Sequence, residues 1–403
     1  MALRIPPQNL NPDPTVALAT TQELIWTTIE CQLVTPMYGG GVKSHTVDKE
    51  MPIRVSSIRG QLRFWWRLLA THLWRLGDTQ AIRQAEADLW GGIDDKTKAS
   101  KVFLRVSSSD SVRPITHGAV VGMKYVLFPA DNETDPNIPH NLVPVGFKWQ
   151  LEIAFDKNLK LEHSKPHEQV WEAIRWWSNF GGIGSRTRRG LGAVQIIKGN
   201  NLPSNIRTPI SVQEAQQAGC QLILRTDGHN NAVSAWQSTI RKLQDFRQSP
   251  PVGRNEGKAH NRPGRSKWPE PDAIRRLSNS HAPEHAPKHP AGNLFPRAAF
   301  GLPIIFHFQG RGEPRDSSLQ PLVKGNLKER MASPIILRSY LQADKRWVSA
   351  ALLLPHAHID NLQLKIFNRD VNYWTPHAAQ HVSPIANNNG TDALSAFMNF
   401  FAK

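Results

Sequence analysis

Residues 147–155, FKWQLEIAF, alternate without error: Phe147, Trp149, Leu151, Ile153 and Phe155 fall on one side, Lys148, Gln150 and Glu152 on the other. That is the period of a half-buried strand. Upstream, ELIWTTIECQLVT at 23–35 sets Ile25, Ile29, Cys31 and Leu33 against Glu30 and Gln32, a second strand of the same kind. Between them SSIRGQLRFWWRLLATHLWRLG at 56–77 predicts a long helix, opened by Ser56 or Ser57 as N-cap and closed by Gly77. Shorter strands are expected at 101–107 and 125–129. Downstream come a helix over 167–180, a glycine-rich turn over 181–192 and a closing strand from Ala193 to Lys198. The order is β-α-β-β-α-β, a ferredoxin-like (RRM-like) unit with helices on one sheet face.

After Gln213 the grammar repeats: a strand at 221–226, a helix at 231–247, a strand at 302–308 and a hairpin over 334–354 turning near Ala343-Asp344. The expected fold class is therefore α+β, with two ferredoxin-like domains in tandem. An extended tail covers 1–22, the first domain 23–213 and the second 214–403. Inside the second, 248–293 carries eight prolines and scattered Arg and Lys without apolar periodicity, which predicts a long insertion or mobile arm rather than core. The end, TDALSAFMNFFAK, predicts a short docking helix capped by Thr391.

Across 403 residues, 49 Lys and Arg face 33 Asp and Glu, a formal charge of +16. Hydrophobic residues make up 39%, enough over this length for a real core, which excludes wholesale disorder and fibrous classes. The longest uncharged apolar run, Val348 to Leu354, is far too short to span a bilayer, and the proline-broken N-terminus lacks a secretory centre. No membrane partner and a cytoplasmic location are expected. Cys31 and Cys220 fit a reducing compartment and offer no zinc spacing. A basic excess of this size points to a polyanion, with nucleic acid ahead of a membrane surface. Thirteen Trp add aromatic faces on which single-stranded bases could stack.

Two constellations carry this charge. On the long helix, Ile58, Leu62, Trp65, Leu69, Leu73 and Leu76 share a narrow wedge, and Arg59, Arg63 and Arg67 line an adjoining stripe. Trp66 sits at the border, as packing or as a stacking platform. From Met51 to Gly77 there are five arginines, Arg54 and Arg75 included, and no acid. Without intrahelical carboxylate partners these charges call for an external anion. The second constellation is Gly181-Gly182-Ile183-Gly184-Ser185-Arg186-Thr187-Arg188-Arg189-Gly190-Leu191-Gly192, again acid-free from Ala173 to Gln213. Glycines allow close backbone approach to a ligand, and the arginine forks match phosphate oxygens. The loop comes after a helix and lacks a Gly-Lys-Ser/Thr end, so it is neither a dinucleotide fingerprint nor a Walker loop.

The run from Gly182 to Gly192 (Gly, hydrophobic, Gly, five residues, Gly, hydrophobic, Gly) resembles the glycine-rich signature of the RAMP superfamily of CRISPR proteins. With Thr35-Pro36-Met37-Tyr38-Gly39-Gly40, the stretch from Ile58 to Arg67, and the phrases Phe300-Gly301-Leu302-Pro303 and Ala332-Ser333-Pro334-Ile335, the sequence is similar to the first RAMP subunits of type III-B Cmr effector complexes. Gly310-Arg311-Gly312 is the nearest counterpart of the signature in the second half. The resemblance implies two ferredoxin-like domains and a subunit, not the slicing one, that holds the 3′ part of the guide RNA (crRNA) and its paired target RNA beside other RAMP subunits. RAMP relatives that cut RNA use a histidine near the first helix or an acid in the loop before it. Here that loop holds His45, Asp48 and Glu50, with Lys43 and Lys49 suited to backbone gripping. His281, His285 and His289 recur every four residues, but Pro283, Pro287 and Pro290 prevent the helix that would align them on a metal. The expected contact residues are Lys43, Arg54, Arg59, Arg63, Arg67, Gly182, Gly184, Arg186, Arg188, Arg189, Gly190 and Gly192. No catalytic residue, metal or cofactor is expected; the alternative is a RAMP-type endoribonuclease using Asp48 or His45.

Overall fold

The computed structural model describes residues 24–41, 46–93, 97–108, 111–120, 122–128, 141–160, 165–259 and 263–403. The first half is built on a four-stranded antiparallel sheet of β1 (Thr27–Leu33), β2 (Val102–Ser107), β3 (Lys148–Phe155) and β4 (Val194–Gly199). Their order across the sheet is β2-β3-β1-β4. Cys31 stands opposite both Trp149 and Ile196. The alternation read from the sequence becomes a buried face of Ile29, Cys31, Leu33, Trp149, Leu151 and Ile153. The far face carries Glu30, bracketed by Lys148 and Lys198 at 3.3 and 3.4 Å.

Helices α1 (Val55–His72) and α3 (Pro166–Phe180) pack on the buried face, burying Ile58, Leu62, Trp65, Trp66 and Leu69 from one and Val170, Ile174, Trp176, Trp177 and Phe180 from the other. Each such aromatic contributes about 1.5–3 kcal/mol by leaving water. The expected long helix stops at His72, five residues short of Gly77, and Arg54 rather than a serine holds the N-cap. Beyond it the chain forms a helix not anticipated, α2 (Thr79–Trp90), capped by Asp78, which accepts from the Ala81 amide at 2.8 Å. The strand expected at 125–129 is instead a short helix, Met123–Leu127, as a brief apolar run fits either state.

The second half opens with β5 (Gln221–Leu224) and α4 (Ala232–Gln248), and then α5 (Glu270–Ser278). The hairpin of β6 (Ile335–Leu341) and β7 (Trp347–Leu353) joins β5 in the order β5-β7-β6, and α6 (Ala393–Ala402) closes the chain. Asp392, not Thr391, caps α6. A separate antiparallel sheet comprises Ile304–Phe306, Ser317–Val323, Gln363–Ile366 and Arg369–Asn372. The β6-β7 hairpin is buried on both faces. Ile336, Tyr340, Val348, Ala350 and Leu352 join the core of the first half, while Ile335, Leu337, Ala351 and Leu353 join that of the second. That double burial explains its near-continuous apolar sequence.

The expectation that 248–293 is a long insertion or mobile arm rather than core is corrected on the last point for its described residues. Trp268 and Ile274 lie in the second core, and Asp272 is buried between Arg265 and Arg275 at 2.8 and 3.2 Å. Polar pairing anchors this stretch, and apolar periodicity cannot register it. Another such anchor is Asp227, which accepts from the Ser349 amide at 3.2 Å, the Ser349 hydroxyl at 2.8 Å and the Ser238 hydroxyl at 2.9 Å. Burial pushes its carboxyl up, but hydrogen bonds from Ser349, His229 and Ser238 outweigh it and bring it down to about 2 from 3.8. A depressed carboxyl stabilises fully above its unfolded value. Urea titrations across pH should therefore show about 2 kcal/mol lost as pH falls from about 4 to 2, a loss absent in Asp227→Asn.

Candidate nucleic-acid interface

The arginine stripe of α1 is not uncompensated. Glu86, on the unanticipated α2, accepts from Arg63 Nε at 2.6 Å and Arg67 Nη1 at 2.5 Å. Its side chain is only 7% exposed, so one buried carboxylate bridges both guanidiniums. Arg59 donates to the Ser100 hydroxyl at 2.7 Å, and burial, then neighbouring Arg63, lowers its guanidinium below the usual value. Arg54 stands exposed at the N-cap of α1. Counter-ions supplied by the next element are invisible to an i, i+4 argument. The signal was nonetheless present: Asp78 as a cap, then Ile82, Glu86 and Leu89 at helical spacing.

The glycine loop lies on the other flank of α1. Gln61, Phe64 and Trp65 line a cavity of about 130 Å³ together with Phe180, Gly181, Thr187, Arg188 and Ile336. Arg188 places Cζ 4.8 Å from the Phe64 ring centroid, a cation–π contact. At 3.6 residues per turn, Gln61 and Phe64 centre roughly 130° around the axis from the arginine stripe. The two clusters therefore flank the solvent ridge of α1 and do not form one groove.

Within the loop the glycines serve the chain itself. A Cβ on Gly192 (φ +63°) would sit 1.9 Å from the Ile183 carbonyl oxygen, and one on Gly190 (φ +78°) would sit 2.6 Å from the Leu337 oxygen. Gly182 and Gly184 are closed off in the same way by the Gly192 and Tyr38 carbonyls. What approaches these glycines in this structure is the chain's own backbone: they let the loop knot onto its neighbours. Thr35 ties the knot, its hydroxyl donating to Gly190 O at 2.6 Å and accepting from the Ala193 amide at 2.9 Å.

The arginines of the loop are what the knot presents. Arg186 is exposed, reaching the Leu127 and Phe128 carbonyls at 3.4 Å. Arg188 and Arg189 are half-buried, and burial brings each guanidinium down to about 10. Neither pairs with a carboxylate among the described residues, and Nη1 of each is buried without a hydrogen-bond partner. A desolvated guanidinium fork with an unbonded N–H keeps donor capacity matched to an oxyanion. Nearby Arg175, by contrast, is fully used: Glu172 holds it at 2.8 Å and Glu214 pairs with it from the far side.

Lys43 and His45 lie outside the described residues. Asp48 is committed to its own turn, accepting from the Glu50 and Met51 amides at 3.1 and 2.9 Å, and Glu50 is exposed. His281, His285 and His289 point to three separate partners, Ala282 O, Glu313 and Lys267 O. No group of three or more metal-ligating side chains occurs among the described residues, and both cysteines are free and buried. Eight tryptophans are core rather than platforms, Trp65, Trp66, Trp90, Trp149, Trp176, Trp177, Trp236 and Trp268 being each at most 2% exposed, whereas Trp26, Trp74, Trp171, Trp347 and Trp374 are half-buried. No helix among the described residues is long and apolar enough to cross a membrane.

Among curated proteins, none matches the chain by sequence. Solved structures give distant likenesses. One is the crystal structure of apo Cmr1 from Pyrococcus furiosus, with 15% identity over 82% of this chain and 88% of that one and a TM-score of 0.47. Another is a subunit in a cryo-EM structure of type III-B Cmr-beta bound to cognate target RNA, with 12% identity, 94% and 100% coverage and a TM-score of 0.47. Cmr6 from Pyrococcus furiosus matches over 43% of this chain and 98% of its own, with 12% identity and a TM-score of 0.23. The RAMP superfamily model matches residues 30–195, spanning the sheet, α1, α3 and the glycine loop. The stretch from Glu30 to Gln195 is thus a RAMP-superfamily domain.

Proposed function

We propose that this protein is a non-catalytic RNA-binding subunit of a type III-B CRISPR (Cmr) ribonucleoprotein effector, holding the 3′ part of the guide RNA or the paired target through phosphates. Its other partners are RAMP subunits of the same complex, and it acts in the cytoplasm in antiviral defence. The observation that carries the reading is the pair Arg188 and Arg189: half-buried, without a carboxylate partner among the described residues, and each with an unpartnered Nη1. The strand order β2-β3-β1-β4 supports reading the first half as ferredoxin-like. In the second half β5, α4, β6, β7 and α6 follow in an order that supports the same reading, although α5 and the separate sheet interrupt it and no fourth strand joins β5-β7-β6 among the described residues. Sequence discrimination is left to base pairing, since phosphate contacts position a strand without reading it.

The test is fluorescence anisotropy of the full chain with an unstructured RNA over a salt series. The double variant Arg186→Gln/Arg188→Gln should bind at least about tenfold more weakly, and its log–log salt slope should drop by about 0.7 for each phosphate contact removed. Arg63→Gln and Arg67→Gln should stay within about threefold of the parent, because Glu86 already occupies those forks. An unchanged slope and affinity in the loop variant would sink the reading. RNA cleavage by the pure subunit, abolished in Asp48→Ala or His45→Ala, would replace it with a nuclease.

A further inference from the structure

Three guanidiniums meet around the turn Pro296–Phe300. Arg189, from the glycine loop, donates through Nη2 to the Phe300 carbonyl at 3.3 Å. Arg247, in the last turn of α4, places Cζ 5.8 Å from the Phe300 ring. Arg297 belongs to the turn itself, with Nε 3.1 Å from Glu270 Oε2 and Cζ 5.9 Å from the Trp268 ring. Among the described residues Glu270 is the sole carboxylate paired with any of the three. It is fully buried, and its other oxygen already accepts the Arg297 backbone amide at 2.7 Å. Two positive charges are left over in a half-buried place.

Donors are left over as well. Arg189 Nη1, Arg247 Nε and the Tyr125 hydroxyl are buried without hydrogen-bond partners, and Arg297 Nε, though close to Glu270, is too poorly aligned to count as bonded. Tyr125 lies within electrostatic reach of both Arg189 and Arg297, and Arg247 within reach of the same two. Each orphaned buried donor is costly to leave unbonded. Arginine does not relieve that cost by shedding its proton at neutral pH. An anion with acceptors in several directions relieves charge and donors together, and a tetrahedral phosphate has that shape.

We propose that Arg189, Arg247, Arg297 and Tyr125 form a composite site for a phosphate group, built jointly by the glycine loop and the second half of the chain. The site rests on the RNA reading and deepens it, for it brings the second half into the grip. An RNA backbone phosphate and free inorganic phosphate present the same oxygens, and the experiment separates them.

Full-length protein is melted in millimolar inorganic phosphate and in chloride of equal ionic strength, and its RNA affinity is measured in both buffers. Phosphate should raise the melting temperature of the parent by several degrees and much less in Arg247→Gln or Tyr125→Phe. In chloride Arg247→Gln should melt no lower than the parent, because it removes a repelling charge; a merely structural arginine would lower it. If the RNA phosphate occupies the site, free phosphate should weaken RNA binding in the parent more than in Arg247→Gln. Stabilisation by phosphate with no effect on RNA affinity would assign the site to the free ion and leave the grip to Arg188. Stabilisation without any RNA binding would keep the site and overturn the RNA reading. Equal melting of parent and both variants in the two buffers, with RNA affinity unchanged in Arg247→Gln, would overturn the site.

Discussion

Arg338→Ala should be strongly destabilising, costing about 3–5 kcal/mol in urea unfolding. Arg338 sits at mid-strand in β6, 4% exposed. Its guanidinium donates to Ser178 O at 2.6 Å, Val194 O at 2.5 Å and Gly181 O. Two of those carbonyls belong to the end of α3, where unpaired oxygens and the helix dipole favour a cation. Burial pushes the guanidinium down to about 9, so it stays charged at neutral pH. Truncation would strand three carbonyls of the first half without the donor they now share. Arg338→Lys should recover only part of the loss, because a single ammonium cannot reproduce the planar fork. A cost below about 1 kcal/mol would show that the carbonyls are satisfied in another way.

Gly192→Ala should also be destabilising. The methyl would lie 1.9 Å from Ile183 O, and φ is +63°. The left-handed conformation alone costs an L-residue about 1–2 kcal/mol, and the overlap cannot be relieved without breaking the hydrogen bond from the Ile183 amide to Gly192 O at 3.0 Å. A total of about 2–4 kcal/mol is expected, and it should come with loss of RNA binding, since Arg186, Arg188 and Arg189 are aimed by that knot. Gly60→Ala is the control, as a Cβ there meets nothing within 4 Å and Ala is the better helix former. Equal RNA affinity in Gly192→Ala and the parent would separate the loop's shape from its charge.

Elements governed by a single period were legible from the sequence. Strand β3 and helix α3 fall within a residue of their expected bounds, because a half-buried face imposes alternation and a packed helix imposes a stripe. Polar chemistry between distant segments was not. Glu86 stands 19 residues beyond Arg67, so no window of helical spacing could pair them. The ion pairs of Asp272 and Glu313 hold a proline-rich stretch that hydropathy reads as loose. Arg338 did leave a trace, as the one charge in the strand IILRSYL, and a charge in a run that apolar is the mark of a buried anchor. The glycine spacing was legible, whereas the stretches of this chain's own backbone that pack against those glycines were not.

The hairpin with two oily sides makes the seam near residue 213 a poor place to cut. A fragment stopping there would leave Phe180 without its stacking neighbour Tyr340, 5.6 Å away, and would bare the rings and carbonyls that β6 now shields. Such a piece should come out of the cell in inclusion bodies, and co-expression of the missing half should return it to the supernatant. Inheritance of the two halves would then be joint, with neither free to drift or be swapped without the other.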